Sequence, residues 1–243
     1  MKTFNWYNYS GCSGFGDMIT RLSEFYMMHE NQDIHVNCYE KLKNWENIDF
    51  VRKFVLSQPK NNITFEYCNE VRQVKNKEYY RYNLEYWPAK KLWKQKKTKK
   101  IAHWFSTKMV TWGHGFNTNF IDQYEAKNFD KVNNLKKIFT DYEFIELYDI
   151  SKNRGDFEVI DDKKVCIEKN MEILSDCQLF IASEGGWTHI SRSMKVPTIL
   201  HFNHHDKENL KKIYERFEII LNANAGIALD ERQMIKQMSN FLS

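Results

Sequence analysis

Two rhythms of apolar residues alternate along the chain. In "DIHVNCY" Ile34, Val36 and Cys38 fall at every second position, the period of a half-buried strand, whereas Ile19, Leu22, Phe25 and Tyr26 recur at helical spacing over residues 16–30. "TFNWYNYS" reads as a first strand, "KLKNWENIDFVRKFVLS" as a helix or pair of helical turns, and "NITFEYC" as another strand. The second half resumes with "IAHWF" extended, "FDKVNNLKKIFTDY" helical, "EFIELYDI" extended and "CIEKNMEILSDC" helical. "QLFIAS" follows as a strand, "GWTHISRSMK" as the start of a helix and "PTILHF" as a strand. Residues 206–217 read as a helix. "DERQMIKQMSNFL" closes the chain as an amphipathic helix through Ile235, Met238 and Phe241. Strands that alternate with helices predict an α/β fold with parallel, helix-covered sheets, because parallel neighbours need a crossover between them.

Residues 70–100 interrupt this rhythm. They are polar and lysine-rich, and "YYRYNLEYWPAKKLW" is dense enough in aromatics to be a packed segment or an arm over a site. A junction near residues 90–102 divides the chain into an N-terminal α/β domain, 1–100, and a C-terminal one, 101–243.

Composition narrows the class. At 243 residues, 42% hydrophobic and 28% charged, the chain can bury a sizeable core and is not of the disordered type. No apolar run approaches the roughly 18 residues of a membrane span, and "MKTFNWYNYS" lacks the apolar centre of a signal peptide. Five cysteines, at 12, 38, 68, 166 and 177, form no close pair and no zinc spacing, which reads as free thiols of a cytoplasmic protein. The formal charge is +4, and "KKLWKQKKTKK" alone holds seven lysines over Lys90–Lys100. That cluster, with its tryptophan, suits either a grip on a phosphate backbone or an ordinary solvated surface. No helix-turn-helix, zinc-finger or RNA-reading signature accompanies it.

Two glycine clusters carry the candidate chemistry. "LFIASEGGWTH" sets Ser183, Glu184, Gly185 and Gly186 between a buried strand and a helix. In an open α/β sheet ligands sit at such a strand end, and the helix start offers N–H groups to an anion. Ser183 and Thr188 add hydroxyls, and His189 lies in the first helical turn. Trp187 is either core or a stacking platform. Glu184 suits a sugar hydroxyl better than a phosphate, since like charges repel.

The N-terminal loop "SGCSGFGDMITRL" holds Gly14, Gly16 and Asp17. Its glycines match neither the dinucleotide-binding G-x-G-x-x-G order nor an ATPase phosphate loop, which would need a lysine after them. Asp17 is either a general base or a helix cap.

The run "KNMEILSDCQLFIASEGGWTHISRSMKVPTILHF" resembles the donor-binding region of two-domain sugar transferases of GT-B type, closest to the heptosyltransferase-like group. Asp176, Ser183, Gly185, Gly186, His189 and Pro197 take the places of that group's acidic helix end, glycine turn, histidine and strand-opening proline. The match covers about 35 residues, and "SGFGDMITRL" is similar to the group's first glycine loop. The resemblance implies two Rossmann-like domains with parallel sheets facing a central cleft. It further implies a nucleotide-diphosphate sugar held at Ser183–His189 as donor substrate, with no other cofactor, and Asp17 as base toward an acceptor hydroxyl.

With no Asp-x-Asp motif in the chain, a metal-independent transferase is expected, in which Lys108 and Arg154 neutralise the leaving diphosphate and Arg192 is a further basic residue. "IDD" at 160–162 reads as a surface loop. "TWGHGFNTNF" suits a polar binding loop or an unusual turn and makes His114, with Gly14 and Gly16, an acceptor-side candidate, and the adjacent His204 and His205 make no metal site without a third ligand. The lysine cluster points to an anionic acceptor such as a glycan or a phage-type modified DNA base. The alternative is a non-catalytic polyanion or nucleic-acid binding α/β protein.

Overall fold

The computed structural model describes residues 1–6, 16, 18–19, 22–23, 26, 31–39, 50–68, 86–94, 98–105, 131–149, 160–183, 185–201, 224–228 and 230–243. These residues form two parallel sheets. The first contains β1 (Lys2–Trp6), β2 (Ile34–Tyr39) and β3 (Ile63–Cys68) in that order. The second contains β4 (Lys100–Trp104), β5 (Glu143–Glu146), β6 (Leu179–Ala182), β7 (Thr198–His201) and β8 (Ala225–Ala228), ordered β5-β4-β6-β7-β8. Every strand pair is parallel, so the chain is built as two Rossmann-like α/β lobes, as its alternating pattern predicts.

In the first lobe the described residues from 16 to 26 are helical, and Met18, Ile19, Leu22 and Tyr26 lie buried along one stripe. They pack with Ile34 and Val36 of β2, whose alternate residue His35 points the other way to Thr64 (2.8 Å) and Glu66 (3.2 Å). Within the stretch read as a helix over 41–57, residues 50–55 are helical, with a π-helical turn at Val51–Val55, and Leu56 is already extended. Val51, Val55 and Leu56 all enter the core.

The second sheet separates two cores because its residues alternate faces. Ala102 and Trp104 of β4 and Phe180 and Ala182 of β6 join the core under α1 (Lys163–Asp176) and α2 (Gly186–Ser193). Ile101 of β4, Leu179 and Ile181 of β6 and Ile199 of β7 face the opposite way, under α3 (Glu231–Leu242) and Leu135 of the helical residues 131–138. Helices therefore cover both faces, which explains why β4, β6 and β7 read as continuous apolar runs rather than as alternating ones. Asp162 starts α1 by accepting from the backbone N–H of Lys164 (2.8 Å) and Val165 (3.1 Å), so the "IDD" acid is a helix cap.

β8 is a strand that the apolar pattern missed. Its sequence, Ala-Gly-Ile-Ala, has one large side chain and weak strand propensity, and it is held by parallel pairing with β7. The helix expected over 206–217 lies outside the described residues.

Residues 86–94 join the lobes. The Ser57 N–H donates to Pro88 O (2.9 Å) and the Lys90 N–H to Val55 O (2.9 Å), on the side of the first lobe. On the other side the Ala89 N–H donates to Ser193 O (3.0 Å) and the Trp93 N–H to Met194 O (2.8 Å), while Trp93 Nε1–H donates to Cys177 O (2.7 Å). Trp87 is 1% exposed and stacks on Tyr26 at 4.6 Å between ring centroids. Of the two roles open to this aromatic stretch, its described part is packed structure. One continuous core runs from Ile34 and Val36 through Trp87 to Trp104 and Phe180.

Candidate functional site

Strand order locates the site. From β4 the chain moves to β5 on one side, then crosses back to β6 on the other. The crossovers from β4 and to β6 thus run in opposite directions, and in open α/β sheets ligands bind at the carboxyl ends of the strands where this happens. Trp104 ends β4, and Ser183, Gly185 and Gly186 follow β6 directly into α2. The downstream glycine cluster thus occupies the switch point of a doubly wound sheet.

Each residue there has a physical reason for its identity. The Ser183 N–H donates to Trp104 O (3.2 Å), extending the β4–β6 ladder by one residue. Gly185 passes so close to the Trp104 ring that a Cβ would lie 2.8 Å from its Cζ3. The Gly185 N–H donates to Thr188 Oγ1 (3.2 Å), and Thr188 returns its hydroxyl proton to Gly185 O (2.7 Å). The Thr188 proton therefore closes the helix start instead of serving as the anion donor that the sequence suggests. Trp187 is buried in the shared core, which decides its role in favour of packing.

His189 reaches across to the first lobe. Its Nδ1 lies 2.9 Å from the hydroxyl of Tyr86, and a Cβ on Gly16 would fall 2.4 Å from its Cδ2 and 3.0 Å from its Nε2. An added Cβ would force the ring to move, so Gly16 and the helix start after β6, remote in sequence, meet at one imidazole. Burial, reinforced by the positive charge of Arg192, pushes His189 down to about 4, which keeps the ring neutral near pH 7. Arg192, one turn further along α2, places its guanidinium 5.9 Å from the centre of the Tyr86 ring. Its own pKa is lowered by burial and partly restored by Tyr86.

The structure thus brings together Gly16, Ser183, Gly185, Gly186, Thr188 and His189, with Arg192 beside them. Gly14, Asp17, Lys108, His114, Arg154, Glu184, His204 and His205 lie outside the described residues. Tyr86 was missed by sequence reasoning: one tyrosine in an aromatic-rich stretch carries no spacing signal.

Two further histidines sit on the opposite face of the second sheet. His201, at the end of β7, donates Nδ1–H to Ala228 O (2.9 Å), which leaves Nε2 to accept from the Lys131 ammonium (2.9 Å). Burial, then Lys131, lowers its pKa to about 4. His103 in β4 packs beside Phe105 and Phe144, and burial with Lys136 lowers it likewise to about 4. Cys166 and Cys177 are free and buried, and burial pushes their thiols up to about 11 and about 12, so neither is a nucleophile at neutral pH.

Several lysines of the basic cluster have local partners. Lys91 pairs with Glu172 (3.8 Å), Lys99 with Asp141 (3.0 Å) and Lys100 with Asp176 (2.9 Å), and Lys90 caps Lys53 O. Among the described residues no group of His, Cys, Asp and Glu could hold a metal ion, and no helix is long and apolar enough to cross a membrane.

Comparison with known proteins returns no match to any family model, curated protein or solved structure. What fold and site define is a class: a bilobal α/β protein of two parallel sheets, compatible with binding a nucleotide or similar ligand in a cleft.

Proposed function

We propose that the protein is a transferase that moves a sugar from a nucleotide-diphosphate sugar to an acceptor hydroxyl at the meeting point of the two glycine loops. The observation that supports this most is the contact of His189 with Gly16 at the carboxyl ends of β4 and β6. It joins an anion-suited helix start to the loop carrying Asp17, as a donor site and an acceptor site must be joined. Ser183, Glu184, Gly185, Gly186 and His189 then line the diphosphate and its sugar, with the N-terminus of α2 contributing its positive dipole end. Lys108 and Arg154 neutralise the leaving group without a metal, Asp17 removes the acceptor proton, and Gly14 and His114 border the acceptor. The acceptor is an anionic glycan or a modified DNA base.

The test is a thermal-shift screen against nucleoside-diphosphate sugars, followed by assays of transfer and donor hydrolysis. Asp17→Asn should leave donor stabilisation intact and lower transfer by roughly two to four orders of magnitude. Unchanged transfer in that variant would remove Asp17 from the chemistry. No stabilisation by any donor, together with salt-dependent binding to DNA, would replace the transferase by a polyanion binder. The ion pairs of Lys91, Lys99 and Lys100 count against that rival.

A further inference from the structure

We infer that Lys131 is a binding residue for an anionic ligand at the carboxyl ends of β6 and β7, and that His201 is the positioning residue that holds its ammonium there. The inference rests on the transferase proposal only for naming the anion as the diphosphate of the donor. Lys131 lies one helical turn before Leu135, whose side chain is buried under the second sheet, so the two share the helix face turned to the strands. From there its ammonium reaches His201 Nε2 at 2.9 Å. The other ring nitrogen lies 2.9 Å from Ala228 O. A carbonyl oxygen can only accept, so Nδ1 carries the ring proton and Nε2 is the bare nitrogen that accepts from the ammonium. An ammonium has three protons, and the one given to His201 fixes the nitrogen in place, whatever the other two meet.

That place adjoins the switch point. Ala182 of β6 is paired with Leu200 of β7, so the residues that follow, Ser183 and His201, lie side by side where the strands end. The start of α2 offers an anion N–H groups and a partial charge, and Lys131 adds a full one from the opposite face of the sheet. The histidines of that face register the resulting field. Lys131 is the second cause, after burial, of the lowered pKa of His201, ahead of the bond to Ala228 and of Asp230, which act the other way. His103 is lowered by burial and then by Lys136. Among the described residues, positive charge thus outweighs the acid at these strand ends, as an anion requires. A neutral imidazole suits the task. A carboxylate at position 201 would hold the lysine as firmly, but it would cancel the charge.

Calorimetric titration with inorganic pyrophosphate, joined to nitrogen-15 histidine spectra, tests this. His201→Gln identifies the signal, and in the wild type Nδ1 should carry the proton and pyrophosphate should shift the His201 resonances. Lys131→Met should weaken pyrophosphate binding by roughly ten- to hundredfold, and Lys131→Arg, which keeps the charge, by much less. His201→Leu removes the acceptor but not the charge and should cost roughly three- to tenfold. His201→Gln, whose carbonyl can accept from the ammonium, should recover most of that loss. Equal affinity in wild type and Lys131→Met would overturn the inference. So would His201 resonances that pyrophosphate leaves unmoved in the wild type, a result that needs no variant to fold. If Lys131→Met binds pyrophosphate normally while nucleoside-diphosphate sugars are bound and transferred, Lys131 leaves the site and the transferase proposal stands. If Lys131→Met weakens pyrophosphate binding as expected but no nucleoside-diphosphate sugar is bound, the anion site stands and the transferase proposal falls.

Discussion

Gly16 and His189 come from opposite ends of the chain, and the 2.4 Å that would separate an added Cβ from Cδ2 makes their contact testable. Gly16→Ala must displace a ring that is also bonded to Tyr86, and overpacking of this kind costs roughly 1–3 kcal/mol. Urea denaturation should show that loss. In a double-mutant cycle His189→Ala should relieve part of it, with a coupling of about 0.5–3 kcal/mol. Additive effects would mean that the two residues do not touch in solution. The neighbouring Gly185 is required for a different reason, the Trp104 ring beneath it. Neither demand could be read from "GFGD" or "SEGG", because the atoms that exclude a side chain come from another part of the chain.

At the level of elements, β4 and β7 turn His103 and His201 toward the same face of the second sheet, where they are 6% and 2% exposed. Their pKa values of about 4 in the folded protein lie below the ordinary value of 6.5. The unfolded chain therefore binds more protons than the native one between about pH 6.5 and pH 4. Stability is full above pH 6.5 and is lost as the pH falls toward 4, by up to about 3 kcal/mol for each ring. Urea midpoints measured from pH 7.5 to pH 4.5 should fall accordingly, and His103→Leu should flatten the slope. A midpoint independent of pH over that range would show that neither ring is buried neutral. Helices and strands with strong periodicity, such as α3 and β2, were legible from pattern alone. β8 was not, because its partner β7 rather than its own Ala-Gly-Ile-Ala sequence makes it a strand.

For the whole molecule, the decisive feature is the core that runs between the sheets. Trp87 sits within it, stacked on Tyr26 of the first lobe, in a segment bonded to Ser193 and Met194 of the second. Truncating a buried aromatic costs roughly 3–5 kcal/mol, so Trp87→Ala should lower the denaturation midpoint sharply. Because the core is shared, wild-type unfolding monitored by tryptophan fluorescence and by far-UV circular dichroism should follow one coincident transition. Two separated transitions would show lobes that fold independently. The lysine cluster belongs to this scale as well: "KKLWKQKKTKK" suits either a phosphate grip or a solvated surface along the chain, and folding sets Glu172, Asp141 and Asp176 beside Lys91, Lys99 and Lys100.

The order of strands and helices, the α/β class and the helix start after β6 were determined by the sequence itself, because periodicity, glycine and capping act over a few residues. The strand order that puts Ser183 at the switch point between β4 and β6 was decided only by the tertiary structure. So were the neutrality of His189, its bond to Tyr86 and its seat against Gly16. Each of these depends on distance in space and on desolvation, which no local spacing encodes. Gly16, read from the sequence as an acceptor-side glycine, is the residue against which the ring of His189 is set.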